Sequence, residues 1–139
     1  MVDGACGQVE WYRQIMRTGG CHCGSIRYEA EGQPDFPHLC SCPHCQRLAG
    51  GPVMAWVNLP LDGFRWTGGG GEPTWFYTFP DSKRGFCGVC GSNVCAVDDD
   101  SDAVCVTMMS LDDHRDLVPE SQSFSEDAVP WLPPLDADN

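Results

Sequence analysis

Seven cysteines of this 139-residue chain fall into three tight clusters, Cys21-His22-Cys23, Cys40-Ser41-Cys42-Pro43-His44-Cys45 and Cys87-Gly88-Val89-Cys90, and glycine directly follows the first and the last. Two thiolates one or two residues apart can reach the same tetrahedral ion at about 2.3 Å, and a glycine lets the backbone turn tightly enough to aim both sulfurs inward. A chain with such knuckles is built to fold around metal. One two-cysteine knuckle joined to a second completes a closed four-thiolate site, which leaves the middle cluster with three thiolates and no obvious fourth. A closed site is structural, whereas three protein ligands with one open position are the pattern of a catalytic zinc.

Other uses of cysteine fit less well. Cys21/Cys23 and Cys40/Cys42 are too close to bridge comfortably within their own pairs, and no secretory leader precedes them, which argues against a disulfide framework. A thioredoxin-like redox pair needs a strand-loop-helix context that the glycine-rich flanks do not offer. Cys6, Cys95 and Cys105 lack a partner at ligand spacing. The last two lie in valine-rich runs and read as small core residues.

Charge narrows the partners. Eight Lys and Arg stand against twenty Asp and Glu, for a formal charge of −12. Metallation makes it more negative still, because seven thiolates outweigh two divalent ions. Such a chain repels phosphate backbones, and with no basic run it has no footprint for nucleic acid. No stretch approaches the roughly 20 apolar residues of a membrane span, so no membrane partner is expected. The expected compartment is the reducing cytoplasm, where thiols stay available to metal.

Periodicity points to strands. Residues 25–30 alternate with Ile26, Tyr28 and Ala30 on one face, and residues 53–59 put Val53, Ala55, Val57 and Leu59 on one side, as half-buried strands require. Residues 64–67 and 74–79 read as two further strands flanking the turn Gly68-Gly69-Gly70-Gly71, so a hairpin-rich antiparallel sheet is expected, with the glycine run as a mobile loop near a mouth. One short helix is expected from Pro43 to Ala49, with proline early and Gly50-Gly51 ending it. Residues 98–102 read as a solvated acidic loop, and the stretch after Pro130 as an extended tail. Residues 1–15 differ in character from the rest of the chain, and Met16 is a candidate start.

These segments together carry a family resemblance. The order Gly-Gly-Cys-His-Cys-Gly-Ser-Ile-Arg-Tyr, then Cys-Ser-Cys-Pro-His-Cys-Gln-Arg, then Arg-Gly-Phe-Cys-Gly-Val-Cys-Gly-Ser resembles the glutathione-dependent formaldehyde-activating enzyme family, which includes centromere protein V. Ala55-Trp56-Val57, Trp66-Thr67-Gly68, the run around Ser110-Leu111-Asp112-Asp113 and Val129-Pro130-Trp131-Leu132 are similar to it as well. The resemblance implies a zinc-binding domain over residues 17–135, between an N-terminal extension (1–16) and an acidic tail (136–139). It also implies an all-β, antiparallel-sheet fold with two zinc ions and little helix, resembling B-type methionine sulfoxide reductases. By the same analogy Cys21, Cys23, Cys87 and Cys90 hold a structural zinc, and Cys40, Cys42 and Cys45 hold a catalytic one. The chain departs from the family pattern at Ser41, where a His is usual, at Met108-Met109, and at Gln122-Ser123-Phe124.

Three thiolates leave a divalent zinc with a net negative charge, so the centre suits soft ligands better than hydroxide. A substrate thiol in the fourth position would lose its proton and attack a small aldehyde, and the reverse reaction makes the site a carbon-sulfur lyase. The implied partners are therefore a small thiol such as glutathione, formaldehyde or another small aldehyde, or their adduct. A non-catalytic zinc module that carries a thiol or binds a protein is the alternative. Arg47, two residues beyond Cys45, is a candidate anchor for a carboxylate-bearing thiol, His44 a candidate hydrogen-bond donor to a ligand thiolate, and Trp56 a candidate pocket wall.

The charge reading has a direct test. In a fluorescence titration at roughly physiological salt, neither duplex nor single-stranded DNA should bind at micromolar concentration. Salt-dependent micromolar binding would point to a chromatin-type module instead.

Overall fold

The structure, a computed structural model, describes residues 16–135; Cys6, most of the expected extension and the acidic tail at 136–139 lie outside the described residues. Met16 itself begins β1 (Met16–Gly20), which pairs antiparallel with β2 (Arg27–Glu31). The alternation of β2 acts as expected: Ile26, Tyr28 and Ala30 are buried. β5 (Phe64–Trp66) closes this three-stranded sheet on the other side of β2.

A second, seven-stranded sheet holds the remaining strands. They are β3 (Asp35–Cys40), β4 (Met54–Pro60), β6 (Thr74–Phe79), β7 (Ser82–Phe86), β8 (Asn93–Asp98), β9 (Ala103–Thr107) and β10 (Ser121–Ser123), in the order β10-β3-β4-β9-β8-β7-β6. All neighbours are antiparallel except β10, which runs parallel to β3. The fold is thus mostly β, and the one α-helix among the described residues, α1 (Pro43–Ala49), occupies the predicted span, with Pro43 in its first turn and Gly50 at its end. No helix among the described residues is long and apolar enough to cross a membrane.

The core lies between the sheets. Tyr28, fully buried, stacks on Phe64 at 5.2 Å between centroids and meets Trp66 edge-on at 6.0 Å. Its hydroxyl donates to Ser110 Oγ at 2.7 Å, and that hydroxyl in turn donates to the Thr107 carbonyl. Val57, Leu59, Val94, Val104 and Val106 of the larger sheet pack against this group. Cys95 belongs to the same core, as its valine-rich surroundings suggested. Two arginines clamp the segment after β9 onto the small sheet: Arg17 forks onto Asp116 at 2.6 and 3.0 Å, and Arg27 forks onto Asp112.

The strand β4 is buried on both faces, not one. Val57 and Leu59 join the core between the sheets, while Met54 and Trp56 on the opposite face pack with Cys40, Cys42 and Cys45. This two-sidedness separates the structural interior from the candidate site, with a single strand as the wall.

The expected hairpin around the glycine run does not form. Both flanking strands exist, but β5 belongs to the small sheet and β6 to the edge of the large one, so residues 68–71 cross between sheets. The run is docked: Gly70 N–H donates to the Ser25 carbonyl at 2.8 Å, and a Cβ at Gly68 would stand 2.5 Å from that same oxygen. None of its glycines lines the cavity described below.

Truncating Tyr28 should test this core. Tyr28→Ala should cost about 3–5 kcal/mol in a denaturant melt, whereas Tyr28→Phe, which loses only the bond to Ser110, should cost about 1 kcal/mol. Equal losses would mean that the hydrogen bond, not the ring, holds the sheets.

Candidate metal centres

Two cysteine clusters assemble. Cys21 and Cys23, from the turn between β1 and β2, meet Cys87 and Cys90, from the turn between β7 and β8, with all four sulfurs within 4.8 Å of one another. Ligands at about 2.3 Å from a tetrahedral centre stand about 3.8 Å apart. The Cys21–Cys23 and Cys23–Cys87 sulfurs are separated by 3.7 and 3.8 Å, and every described cysteine is a free thiol. The donor set fits a zinc-type ion.

The two turns are built alike. Gly24 and Gly91 take left-handed conformations, with φ of 85° and 82°, and their N–H groups donate to the carbonyls of Cys21 and Cys87. Backbone N–H groups aim at the sulfurs: Ile26 N–H donates to Cys21 Sγ at 3.2 Å, and those of Val89 and Cys90 donate to Cys87 Sγ at 3.3 and 3.4 Å. Ser92 ties the two turns together. Its hydroxyl accepts from His22 N–H at 3.0 Å and donates to Cys90 Sγ at 3.2 Å, which holds the Cys90 thiol down to about 5.

The second cluster has three sulfurs. Cys40 ends β3, Cys42 is the N-cap of α1, its sulfur accepting from Cys45 N–H at 3.3 Å, and Cys45 sits in the first helical turn. All three are buried, their sulfurs lie within 4.8 Å of one another, and no fourth Cys, His, Asp or Glu joins them among the described residues. The thiols divide their protons unevenly. The hydrogen bond between Cys40 and Cys45 pushes Cys40 up and holds Cys45 down to about 5, with the Arg84 guanidinium, 3.5 Å from Cys45 Sγ, adding to the second effect.

The second cluster opens to a cavity of about 620 Å³, which no cysteine of the first cluster lines. Trp56 and Cys105 lie along its wall, and Phe36, Phe79 and Phe124, all about half exposed, stand among its lining. Phe36 and Phe124 adopt left-handed φ values of 55° and 56°. Bulky side chains rarely do, and such strain concentrates where a site requires it. The charged lining consists of Arg84, Asp98 and Asp127.

The segment from β10 onward fixes the ligand loop. Ser41 is fully buried between the cysteines; its N–H donates to the Ser123 carbonyl at 3.0 Å and its hydroxyl accepts from Gln122 Nε2 at 2.5 Å. Gln122 Oε1 accepts from Leu135 N–H at 2.9 Å, and Gln46 Nε2 donates to the Asp127 carbonyl at 3.1 Å. Ser41 and Gln122, two of the positions singled out in the sequence, are thus hydrogen-bonded to each other.

Sequence reasoning placed some residues better than others. Trp56 lines the cavity as expected. His44, the candidate donor to a thiolate, lines it too, but packs edge-on against Phe79 at 4.9 Å and has no hydrogen bond to a thiol among the described residues. Arg47 is exposed and does not line the cavity. Two residues beyond Cys45 on a helix lie roughly 200° around its axis, so the turn that aims Cys45 inward carries Arg47 outward. The cation that does face the sulfurs is Arg84, which the sequence reading passed over. Its only local signal is its place in Arg84-Gly85-Phe86-Cys87, and the register of β7 against β8 is what turns it to the cavity.

A family model described as glutathione-dependent formaldehyde-activating enzyme matches residues 16–127. A protein of Halomonas elongata, provisionally named a glutathione-dependent formaldehyde-activating enzyme, is 33% identical over 86 residues, or 56% of this chain and 54% of its own length. The chain thus spans about half the length of that relative. A solved structure of a Rhodobacter sphaeroides protein, 24% identical, matches with a TM-score of 0.59 and covers 76% of this chain and 99% of its own, a likeness of fold.

Proposed function

The chain belongs to the glutathione-dependent formaldehyde-activating enzyme family, and from that premise we propose that it forms or cleaves the adduct of a small thiol and formaldehyde or a similar aldehyde. The observation that carries this reading is the asymmetry of the two clusters: four sulfurs that do not line the cavity, and three that do. The first is the arrangement of a structural zinc and the second that of a catalytic one. Cys40, Cys42 and Cys45 would hold a zinc ion, which when bound would acidify an external thiol.

The residues of the chain do the rest. In the forward direction the thiol sulfur forms a bond to the aldehyde carbon, the carbonyl π pair moves to oxygen, and that oxygen takes a proton, giving R–S–CH2–OH. The reverse breaks the same bond. Trp56 and the aromatic rim cover the sulfurs and limit water around them. The buried Ser41, tied to Gln122, holds the loop between Cys40 and Cys42 so that their sulfurs converge. No acid-base pair is required, because the thiol is acidified by its position and the product oxygen can exchange its proton with solvent.

Turnover is the test. Metal-loaded protein incubated with a panel of thiol-formaldehyde adducts should release formaldehyde faster than buffer for at least one adduct. A stable protein holding two metal ions that accelerates none of them would contradict the proposal.

The division of the centres yields a separate prediction. Cys87→Ala should unfold or strongly destabilise the protein, since a closed four-thiolate site contributes on the order of 10 kcal/mol or more to small domains. Cys42→Ala should leave a folded protein with about one metal ion and no turnover. Indistinguishable melts and metal contents for the two variants would show that the centres do not differ in role.

A further inference from the structure

Arg84 lies in the middle of β7, between Phe76 of β6 and Ala96 of β8. Its guanidinium carbon sits 5.3 Å from the centroid of the Trp56 ring, and Nη2 donates to Cys45 Sγ at 3.5 Å. Nη1 is buried without a hydrogen-bond partner among the described residues. Arg17, Arg27, Arg65 and Arg115 each reach a carboxylate, but Arg84 reaches none, although Asp98 lines the same cavity. An arginine with a buried guanidinium nitrogen normally satisfies its planar fork with a carboxylate. This one is turned to sulfur.

The electrostatics explain the choice. Three thiolates and a divalent ion carry one net negative charge, and a thiolate entering the fourth position raises it to two. The three cysteines are buried, so that second charge is poorly solvated. The other charged groups of the cavity, Asp98 and Asp127, have the same sign as the incoming ligand. Arg84 is the sole cation lining the cavity among the described residues.

We propose that Arg84 is a positioning residue that acts through Cys45 to offset the charge of the three-sulfur centre, so that the centre accepts an anionic sulfur ligand in its fourth position. The inference rests on the reading of that centre as metal-bearing and open. It assigns Arg84 to the sulfur end of any thiol, not to a carboxylate that distinguishes one thiol from another. The stacking on Trp56 holds the guanidinium in place for this task.

The test uses the full-length, cobalt-substituted protein, followed by visible absorption during titration with 2-mercaptoethanol, which has no carboxylate, and with imidazole, a neutral ligand. Arg84→Met should keep the cobalt content of the wild type and its affinity for imidazole, and should lose roughly ten-fold or more in affinity for the thiol. Arg84→Lys should restore part of that loss, since a point charge replaces the fork. Should Arg84→Met fail to hold cobalt, the pair Arg84→Lys and Arg84→Gln reads the same contrast of charge, with the Gln variant weaker for the thiol alone. Equal thiol affinities for wild type and the neutral variant would overturn the inference. So would an equal loss for thiol and imidazole, which marks a packing role. A wild-type spectrum that no thiol moves would overturn it together with the reading of an open centre, whereas a thiol response intact in Arg84→Met sinks this inference alone.

Discussion

Four sulfurs from two turns 64 or more residues apart must occupy the corners of one small tetrahedron, and much of the architecture answers to that requirement. One turn belongs to the three-stranded sheet and the other to the seven-stranded sheet, so a metal bound between them would fasten sheet to sheet at one end of the core. Cys21 and Cys87 are themselves buried in that core beside Tyr28, Val94 and Leu111. Packing and metal binding therefore act on the same contact. The N–H groups aimed at Cys21 and Cys87, and Ser92 bridging the two turns, place hydrogen-bond donors where the four sulfurs converge.

The second cluster borrows this rigid frame without sharing its interior. Strand β4 divides the two regions, its odd-numbered side chains facing the core and its even-numbered ones facing the three-sulfur centre and cavity. The cavity's other walls come from far along the chain: Arg84 from β7, Cys105 from β9 and Phe124 from the segment beyond β10. A buried centre open to small molecules thus stands on a strand whose opposite face is fully packed. Such an arrangement holds sulfur geometry tightly while leaving the rim aromatics half exposed.

What the sequence revealed was whatever is local. Ligand spacing and the glycines after each knuckle follow from the chemistry of a few neighbouring residues, as does the helix that begins at Pro43. The alternation of Ile26, Tyr28 and Ala30 likewise declares a half-buried strand. Pairings between distant segments were not legible. The glycine run looked like a hairpin turn because nothing in residues 64–79 tells that its flanking strands join different sheets. Arg47 is the cation that proximity to Cys45 in sequence suggests, but helical periodicity turns it to solvent, while sheet register brings Arg84, which the sequence reading passes over, to Cys45. The burial of both faces of β4 was hidden for a similar reason, since Trp56 is matched by cysteines and by Arg84, which lie elsewhere in the chain.

The central claim is that one metal centre is closed by protein and the other is not. X-ray absorption at the zinc edge measures it directly. Seven thiolates shared by two ions predict an average of about 3.5 sulfurs per zinc in the resting protein, with a lighter atom making up the remainder, rising to about four when glutathione is added. An average of four sulfurs before any thiol is present, or one that glutathione leaves unchanged, would contradict the account.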